Sequence, residues 1–307
     1  MQITASMVKE LREISGAGMS ACKNALVEAE GDIKRATEIL REKGLAAAAK
    51  KAGRVAAEGL VATALSQDGK KGAIVEVNSE TDFVAKNEDF IAFVKQVAVE
   101  ALVSDAKTIG ELTESKWTPD AAQTVKDVLT HKIATIGENI GIRRFERFET
   151  TGRVIDYIHG GGRIGVMLEL ACDDLNDNVV EAGRNICMQI AAMSPKYLDK
   201  ESVPADFLKS EKEILTQQAN NENAESDKPK PPQVIEKMVE GRLAKQLKEI
   251  CLLDQEYVKD DKITVAAYLQ SVCKNAKIVR YVRYEKGEGI EKKEEDFAAE
   301  VQKAMNV

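Results

Sequence analysis

Gly72-Ala73-Ile74-Val75-Glu76-Val77 returns 93 positions later as Gly165-Val166-Met167-Leu168-Glu169-Leu170. The offset holds on either side of that stretch. Gly59-Leu60-Val61 aligns with Gly152-Arg153-Val154, Leu65 with Ile158, Gly69 with Gly162, and Lys70 with Arg163. Glycines and strand residues that keep one spacing over so many positions mark an internal duplication. Each copy reads as a strand, a glycine-containing turn, a second strand and then a helix. The helices are expected over 89–101 and 179–193. Apolar, partly β-branched runs favour the strands, and the glycines favour hairpin turns with positive φ. The fold class that follows is α+β: two related subdomains, each an antiparallel sheet covered by helices.

The first 44 residues precede this core and read as three short helices. Thr4 caps the first, with Val8, Leu11 and Ile14 at helical spacing before Ser15-Gly16-Ala17-Gly18 breaks it. Ser20 is expected to cap the second, which carries Cys22, Ala25, Leu26 and Ala29 on one face. Asp32 opens the third, which buries Ile33, Ala36, Ile39 and Leu40 and is expected to end at Gly44. A unit this small has a marginal core of its own and suits docking. An alanine-rich linker follows, helical by propensity, with Lys50, Lys51 and Arg54. Between the copies, a helix is expected over 121–134, with Thr118-Pro119-Asp120 as its cap. Gly137-Glu138-Asn139-Ile140-Gly141 leads from it into a strand over 142–148. The second copy carries an insertion of two amphipathic segments, 207–218 and 234–250, around a polar tip with Pro229, Pro231 and Pro232. These predict an antiparallel helical hairpin. A strand over 278–284 and a helix over 294–305 close the chain. The organisation expected is therefore 1–44 docking unit, 45–56 linker, 57–149 and 150–285 as the duplicated core, the insertion at about 206–250, and 286–307 as a C-terminal module.

Composition narrows the function. The chain has 307 residues, 44% hydrophobic and 31% charged, with a net charge of −7. That balance argues against general nucleic-acid binding, which needs an excess of Lys and Arg. The apolar runs fall short of the roughly 20 residues a membrane span needs, and no secretory signal opens the chain. Cys22, Cys172, Cys187, Cys251 and Cys273 are odd in number, scattered, and never spaced as a zinc or redox pair. They read as small buried hydrophobes in a reducing, cytoplasmic setting.

Catalytic motifs are missing. There is no Gly-x-x-x-x-Gly-Lys-Ser/Thr loop, and Gly160-Gly161-Gly162-Arg163 joins strand to strand as a hairpin turn. His131 and His159 are the only histidines and stand in different segments, with no metal or nucleophile spacing. No cofactor, bound metal or covalent chemistry is expected. The conspicuous surface feature is Asn78-Ser79-Glu80-Thr81-Asp82-Phe83-Val84-Ala85-Lys86-Asn87, where a clean strand gives way to a polar turn bearing an aromatic. Two readings stand for Phe83: it folds back into its own core, or it stands out to fill a pocket in another protein. Asp82 likewise caps a turn or faces that partner.

Several stretches together resemble bacterial elongation factor Ts. They are Ile3–Arg12, Gly16–Met19, Thr81–Asn87, Ile136–Asn139, His159–Val166, Ile235–Arg242 and Gly287–Lys292, in the family's order from end to end. The resemblance implies a guanine-nucleotide exchange factor that binds elongation factor Tu, GDP-bound or nucleotide-free, and speeds GDP release. It implies a ubiquitin-associated-type docking unit at the N-terminus, with Arg12 and Met19 at partner contacts. Thr81, Asp82, Phe83 and Val84 match the segment associated with dislodging the partner's Mg²⁺, Phe83 being the inserting residue. Ile136, Gly137 and His159 match further contacts. The helical hairpin resembles the family's coiled-coil projection, and a homodimer or heterotetramer through the core or this coiled coil is a possibility the family opens. Two rivals are an enzyme built around His159 and a general adaptor that uses the three-helix unit.

Overall fold

The computed structural model describes residues 3–173, 175–226 and 229–291. Helices α1 (Ala5–Ser15), α2 (Met19–Glu28) and α3 (Ile33–Lys51) share a core of Leu11, Cys22, Leu26, Ala36 and Ile39. Thr4 caps α1 through the Met7 amide at 3.3 Å, and Asp32 caps α3 through Arg35 at 3.0 Å, as expected. Two expectations fail here. Gly18, not Ser20, is the residue before α2. Helix α3 also runs straight through Gly44 to Lys51. The physical reason lies across the chain: Gly44 is buried against Ala134 and Thr130, where a Cβ would sit 3.6 and 3.9 Å from their side chains. An added Cβ would meet them only at ordinary contact distance, so the glycine sits inside a helix whose buried face packs on these residues rather than at its end.

Strands β1 (Glu58–Leu65) and β2 (Lys71–Ser79) form the first hairpin. The short α4 (Asp82–Ala85) and the long α5 (Glu88–Val103) follow, then α6 (Ile109–Glu114). Next comes a small ladder of β3 (Lys116–Trp117) and β4 (Asp120–Thr124), then α7 (Val125–Ile136) and β5 (Ile140–Glu149). The expected start of α7 is therefore too early. Thr118 and Pro119 form the turn of a hairpin, with Trp117 opposite Asp120. The helix begins where Thr124 and Asp127 make a reciprocal capping box, the Asp127 amide to Thr124 Oγ1 at 3.1 Å and the Thr124 amide to Asp127 Oδ2 at 3.0 Å.

The second copy comprises β6 (Arg153–His159), β7 (Ile164–Ala171) and α8 (Asp177–Met193). The insertion is α9 (Ala205–Ala224) and α10 (Pro232–Ile250), each longer than the sequence pattern indicated. They lie against one another through Leu215, Ala219, Ile235 and Val239, with Arg242 bonded to Glu222 at 2.6 Å. Then β8 (Glu256–Tyr257), β9 (Asp260–Thr264), α11 (Val265–Val272) and β10 (Lys277–Glu285) complete the described elements. The expected helix over 294–305 and most of the 286–307 module lie outside the described residues.

Both sheets are antiparallel and three-stranded, in the orders β1-β2-β5 and β10-β7-β6. Helix α5 covers the first and α8 the second, over cores centred on Phe90, Val94 and Val97 and on Ile186, Cys187 and Ile190. The duplication extends further than the sequence pattern revealed. The β8–β9 ladder repeats β3–β4 pair for pair, with Tyr257 opposite Asp260 and Thr264 capping α11.

The two copies also meet face to face. The Val61 amide donates to Gly162 O at 2.8 Å, and its counterpart Val154 donates to Gly69 O at 2.7 Å. Arg144 lies over the Tyr284 ring at 4.1 Å, and Arg280 over Phe148 at 4.0 Å. The shared core between the sheets contains Val61 with Val154, Ile74 with Met167, and Phe148 with Tyr284. Each is a pair of equivalent residues, so the duplicated halves pack about a pseudo-two-fold axis. Gly72 and Gly165 are the close-approach points: a Cβ on the first would sit 2.6 Å from Val154, and on the second 2.4 Å from Val61.

Of the cysteines, Cys22, Cys187 and Cys251 are buried, as expected. Cys172 and Cys273 are not scattered in space. They are half-buried neighbours, joined by the return of β10 alongside β7.

Candidate functional site

The site is built where β2 ends. Strand β2 is buried along most of its length, and Ser79, its last residue, is fully enclosed. Ser79 Oγ donates to the Thr81 carbonyl at 3.1 Å, which turns the chain. Thr81 then caps the single-turn helix α4 through the Val84 amide at 3.4 Å. Val84 and Ala85 point inward and anchor that turn, while Asn87 caps α5 through the amides of Asp89 and Phe90 at 2.9 and 3.2 Å. With both sides of the turn pinned, Phe83 is left outside with 80% of its surface in solvent, more than any other large hydrophobic among the described residues. The core reading of Phe83 is excluded.

The turn is braced from the α7–β5 connection. Glu138 accepts from both the Thr81 amide at 3.0 Å and the Thr81 hydroxyl at 2.7 Å. The Asn139 amide donates to Glu80 at 2.5 Å, and Arg54 approaches the same carboxylate at 3.5 Å. Gly137 makes this possible by closing α7 at φ 87°, the left-handed region open to glycine. Ile136 is half-buried against the first core. Glu138, Glu80 and Asn139 were not singled out as functional from their types. The signal was the short Ile136–Asn139 stretch, whose purpose becomes visible only when it is seen to grip Thr81.

Asp82 does not cap the turn. Its carboxylate is paired with Lys86 at 2.6 Å. That hydrogen bond, together with the charges of Lys86 and Lys286, holds the carboxyl below the usual aspartate range. Asp82 is thus a standing negative charge beside the exposed ring.

His159 arrives from the other copy. It ends β6, with Nδ1 3.0 Å from the Tyr157 hydroxyl. The Gly160–Gly162 turn beyond it is a strand-to-strand hairpin, with the Gly162 amide donating to His159 O at 3.3 Å. Because Gly162 bonds to Val61, this hairpin sits at the β1 end of the first sheet, whose first residue, Glu58, is paired with Ser79. Lys286 closes the group: its amide donates to Arg163 O at 2.9 Å and its ammonium binds Glu58. The structure therefore gathers Thr81–Val84, Ile136–Gly137 and the His159 hairpin toward one end of the core.

Arg12 and Met19 stand apart, exposed on α1 and at the start of α2. Their unit reaches the core through α3 on α7, where Arg41 pairs with Asp127 at 2.5 Å and Lys51 donates to Ile133 O at 3.4 Å. Beneath the site, Glu76 is fully buried. Burial alone would raise its pKa, but the Gly287 amide, Asn78, Arg144 and Arg143 outweigh that and hold it below the usual glutamate range. Among the described residues no group of His, Cys, Asp and Glu side chains is placed to hold a metal, and no helix is long and apolar enough to cross a membrane.

The site is thus an exposed aromatic on a turn held by hydrogen bonds from both sides. In comparison with known proteins, the family model described as "Elongation factor TS" matches residues 80–288. "Elongation factor Ts" of Clostridium botulinum (strain Alaska E43 / Type E3) is 53% identical over 308 residues, covering 99% of each chain. Those of Clostridium novyi (strain NT) and Clostridioides difficile (strain 630) are 52% and 51% identical, again over 99% of each. The chain belongs to the elongation factor Ts family. It is a translation elongation factor, the nucleotide exchange partner of elongation factor Tu, and performs no covalent chemistry of its own.

Proposed function

We propose that the chain docks on GDP-bound elongation factor Tu and drives Phe83 between elements of the partner, disturbing its Mg²⁺ site and so releasing GDP. The observation that carries this is the 80% exposure of Phe83 on a turn fixed from both sides. A large apolar ring held in water is an unspent source of binding energy. Rigidity matters because a ring on a loose loop would bend away before a partner's helices parted. Mg²⁺ neutralises nucleotide phosphates, so displacing the groups that orient it weakens GDP. The coupling is reciprocal: GDP expels the wedge by the same factor that the wedge expels GDP. Asp82 stands beside the ring, while Thr81 and Val84 hold it in place.

Under this reading residues 1–44 form a ubiquitin-associated-like docking domain that uses Arg12 and Met19, with 45–56 as its link to the core subdomains 57–149 and 150–285. Ile136, Gly137 and His159 meet other parts of the same partner. The α9–α10 hairpin, the coiled-coil insertion, serves docking or self-association. The nucleotide-free complex is the intermediate from which GTP enters.

The test is release of a fluorescent GDP analogue from purified elongation factor Tu, with Mg²⁺ present and with Mg²⁺ chelated. Acceleration should be large with the metal and should shrink once it is gone, because the wedge then has little left to displace. Equal acceleration under both conditions would refute the Mg²⁺ route.

A further inference from the structure

Cys172 follows the last residue of β7, and Cys273 caps the C-terminal end of α11. Although 101 residues separate them in sequence, their Sγ atoms approach to 2.8 Å. Both are half-buried, and neither is held in a disulfide. Their backbones are pinned on both sides. Ala171 is paired with Lys277, the Ala276 amide donates to Cys273 O at 3.1 Å, and Asn275 Nδ2 donates to Asp173 at 3.3 Å. Neither sulfur needs a rearranged fold to meet the other. The remaining cysteines are unlike this pair. Cys22, Cys187 and Cys251 are buried, and burial pushes the thiols of Cys187 and Cys251 up, away from the reactive thiolate.

We infer that Cys172 and Cys273 form a reversible oxidation site, a dithiol that a hydroperoxide converts to an intramolecular disulfide. One thiolate attacks a peroxide oxygen and the O–O bond breaks, giving a sulfenic acid and one water. The second thiolate attacks that sulfenic sulfur, the S–S bond forms, and the sulfenic oxygen leaves as a second water. The protein loses two electrons and two protons, and hydrogen peroxide takes both up. A resolving thiol in contact makes the second step intramolecular, so it outruns further oxidation to the sulfinic acid. A dithiol reverses the bond by exchange. The pair lies on the second sheet's return loop, remote in sequence from Thr81–Val84, and serves no step of the exchange reading.

The experiment treats the full chain with hydrogen peroxide, blocks remaining thiols with N-ethylmaleimide, and maps peptides without reduction. The expected product is one intramolecular cross-link joining the Cys172 and Cys273 peptides, with the loss of two hydrogens. Dithiothreitol should remove it. Cys172→Ser and Cys273→Ser should each abolish it, leaving the partner thiol to accumulate higher oxides. Sulfinic or sulfonic acid at either position in the wild type, without the cross-link, would overturn the inference. So would intermolecular dimers through these cysteines, or two thiols left unmodified under peroxide that fully oxidises free glutathione. The wild-type map decides the matter even if a serine variant folds poorly.

Discussion

Replacing Phe83 with alanine separates a wedge from a structural residue. In the free chain the ring keeps 80% of its surface in water, so its removal takes little from the fold. Unfolding free energies of the two proteins from urea titration should agree to within about 0.5 kcal/mol. In the complex the ring is to be buried. Full burial of a phenylalanine side chain contributes about 1.5–3 kcal/mol, and the alanine methyl that remains recovers about 0.8. The difference, about 1–2 kcal/mol, corresponds to a factor of about 5–30. If that energy is spent on parting the partner's helices rather than on holding the complex together, the loss falls on the rate. Stopped-flow release of a fluorescent GDP analogue should therefore slow by about that factor at saturating Phe83→Ala, while a binding titration with GDP-bound elongation factor Tu, in which GDP opposes the wedge, moves less. Unchanged release at saturation would refute the wedge. A fall of several degrees in melting temperature would also refute it, by showing that the ring supports its own fold.

Glu138→Ala removes both acceptors of Thr81 and unpins the turn from behind; release should slow in the same assay with Phe83 still present, and an unaltered rate would mean the brace is not needed. Glu76→Gln leaves Arg143 and Arg144 without their buried carboxylate, and urea unfolding should show a loss of about 3 kcal/mol, the low end for a broken buried pair because the guanidiniums keep 29% and 30% of their side-chain surface in water. The same group makes stability pH-dependent. Its folded pKa lies below the ordinary 4.5, so its contribution is full above that value and is lost as pH falls through the lower one; acid titration of Glu76→Gln should be shallower there than wild type.

The repeat of Gly72–Val77 at Gly165–Leu170 was legible because strands and glycine turns are local and periodic. The paired strands, their hairpin turns and the covering helices α5 and α8 followed from it. The hairpin β3–β4 was not legible, since Thr118-Pro119-Asp120 satisfies the local rules for a helix start as well as those for a turn. Only the Thr124–Asp127 box, and the matching Thr264, favour the later start. Phe83 could be nominated from sequence but not placed. Its exposure depends on Val84 and Ala85 facing inward and on Glu138 gripping Thr81 across 57 residues. The contact between Cys172 and Cys273 was hidden for the same reason: it exists only once β10 returns beside β7.

The pseudo-two-fold axis explains how one chain carries a site that a symmetric pair would not. Equivalent residues meet across it, Val61 with Gly162 as Val154 with Gly69, and Arg144 on Tyr284 as Arg280 on Phe148. Both copies spend their strands on the same rigid block, and function resides where they depart from one another. After β2 the first copy turns at once into α4 and presents Phe83, whereas the position 93 residues on is Asn176, which caps α8 through Asn178 and Val179 at 3.1 and 3.2 Å. After α8 the second copy diverges in turn, with the α9–α10 hairpin where the first has only α6. If the block is what keeps Phe83 from yielding, damage to the axis should reach the site from a distance. Gly165→Val forces side-chain atoms into Val61, 2.4 Å from the added Cβ, and overpacking there should cost about 1–3 kcal/mol in urea unfolding. The informative readout is exchange by the fraction that remains folded. A block that transmits rigidity predicts a slower saturating rate for GDP release, whereas a wild-type rate per folded molecule would show that the turn is braced by Glu138 alone.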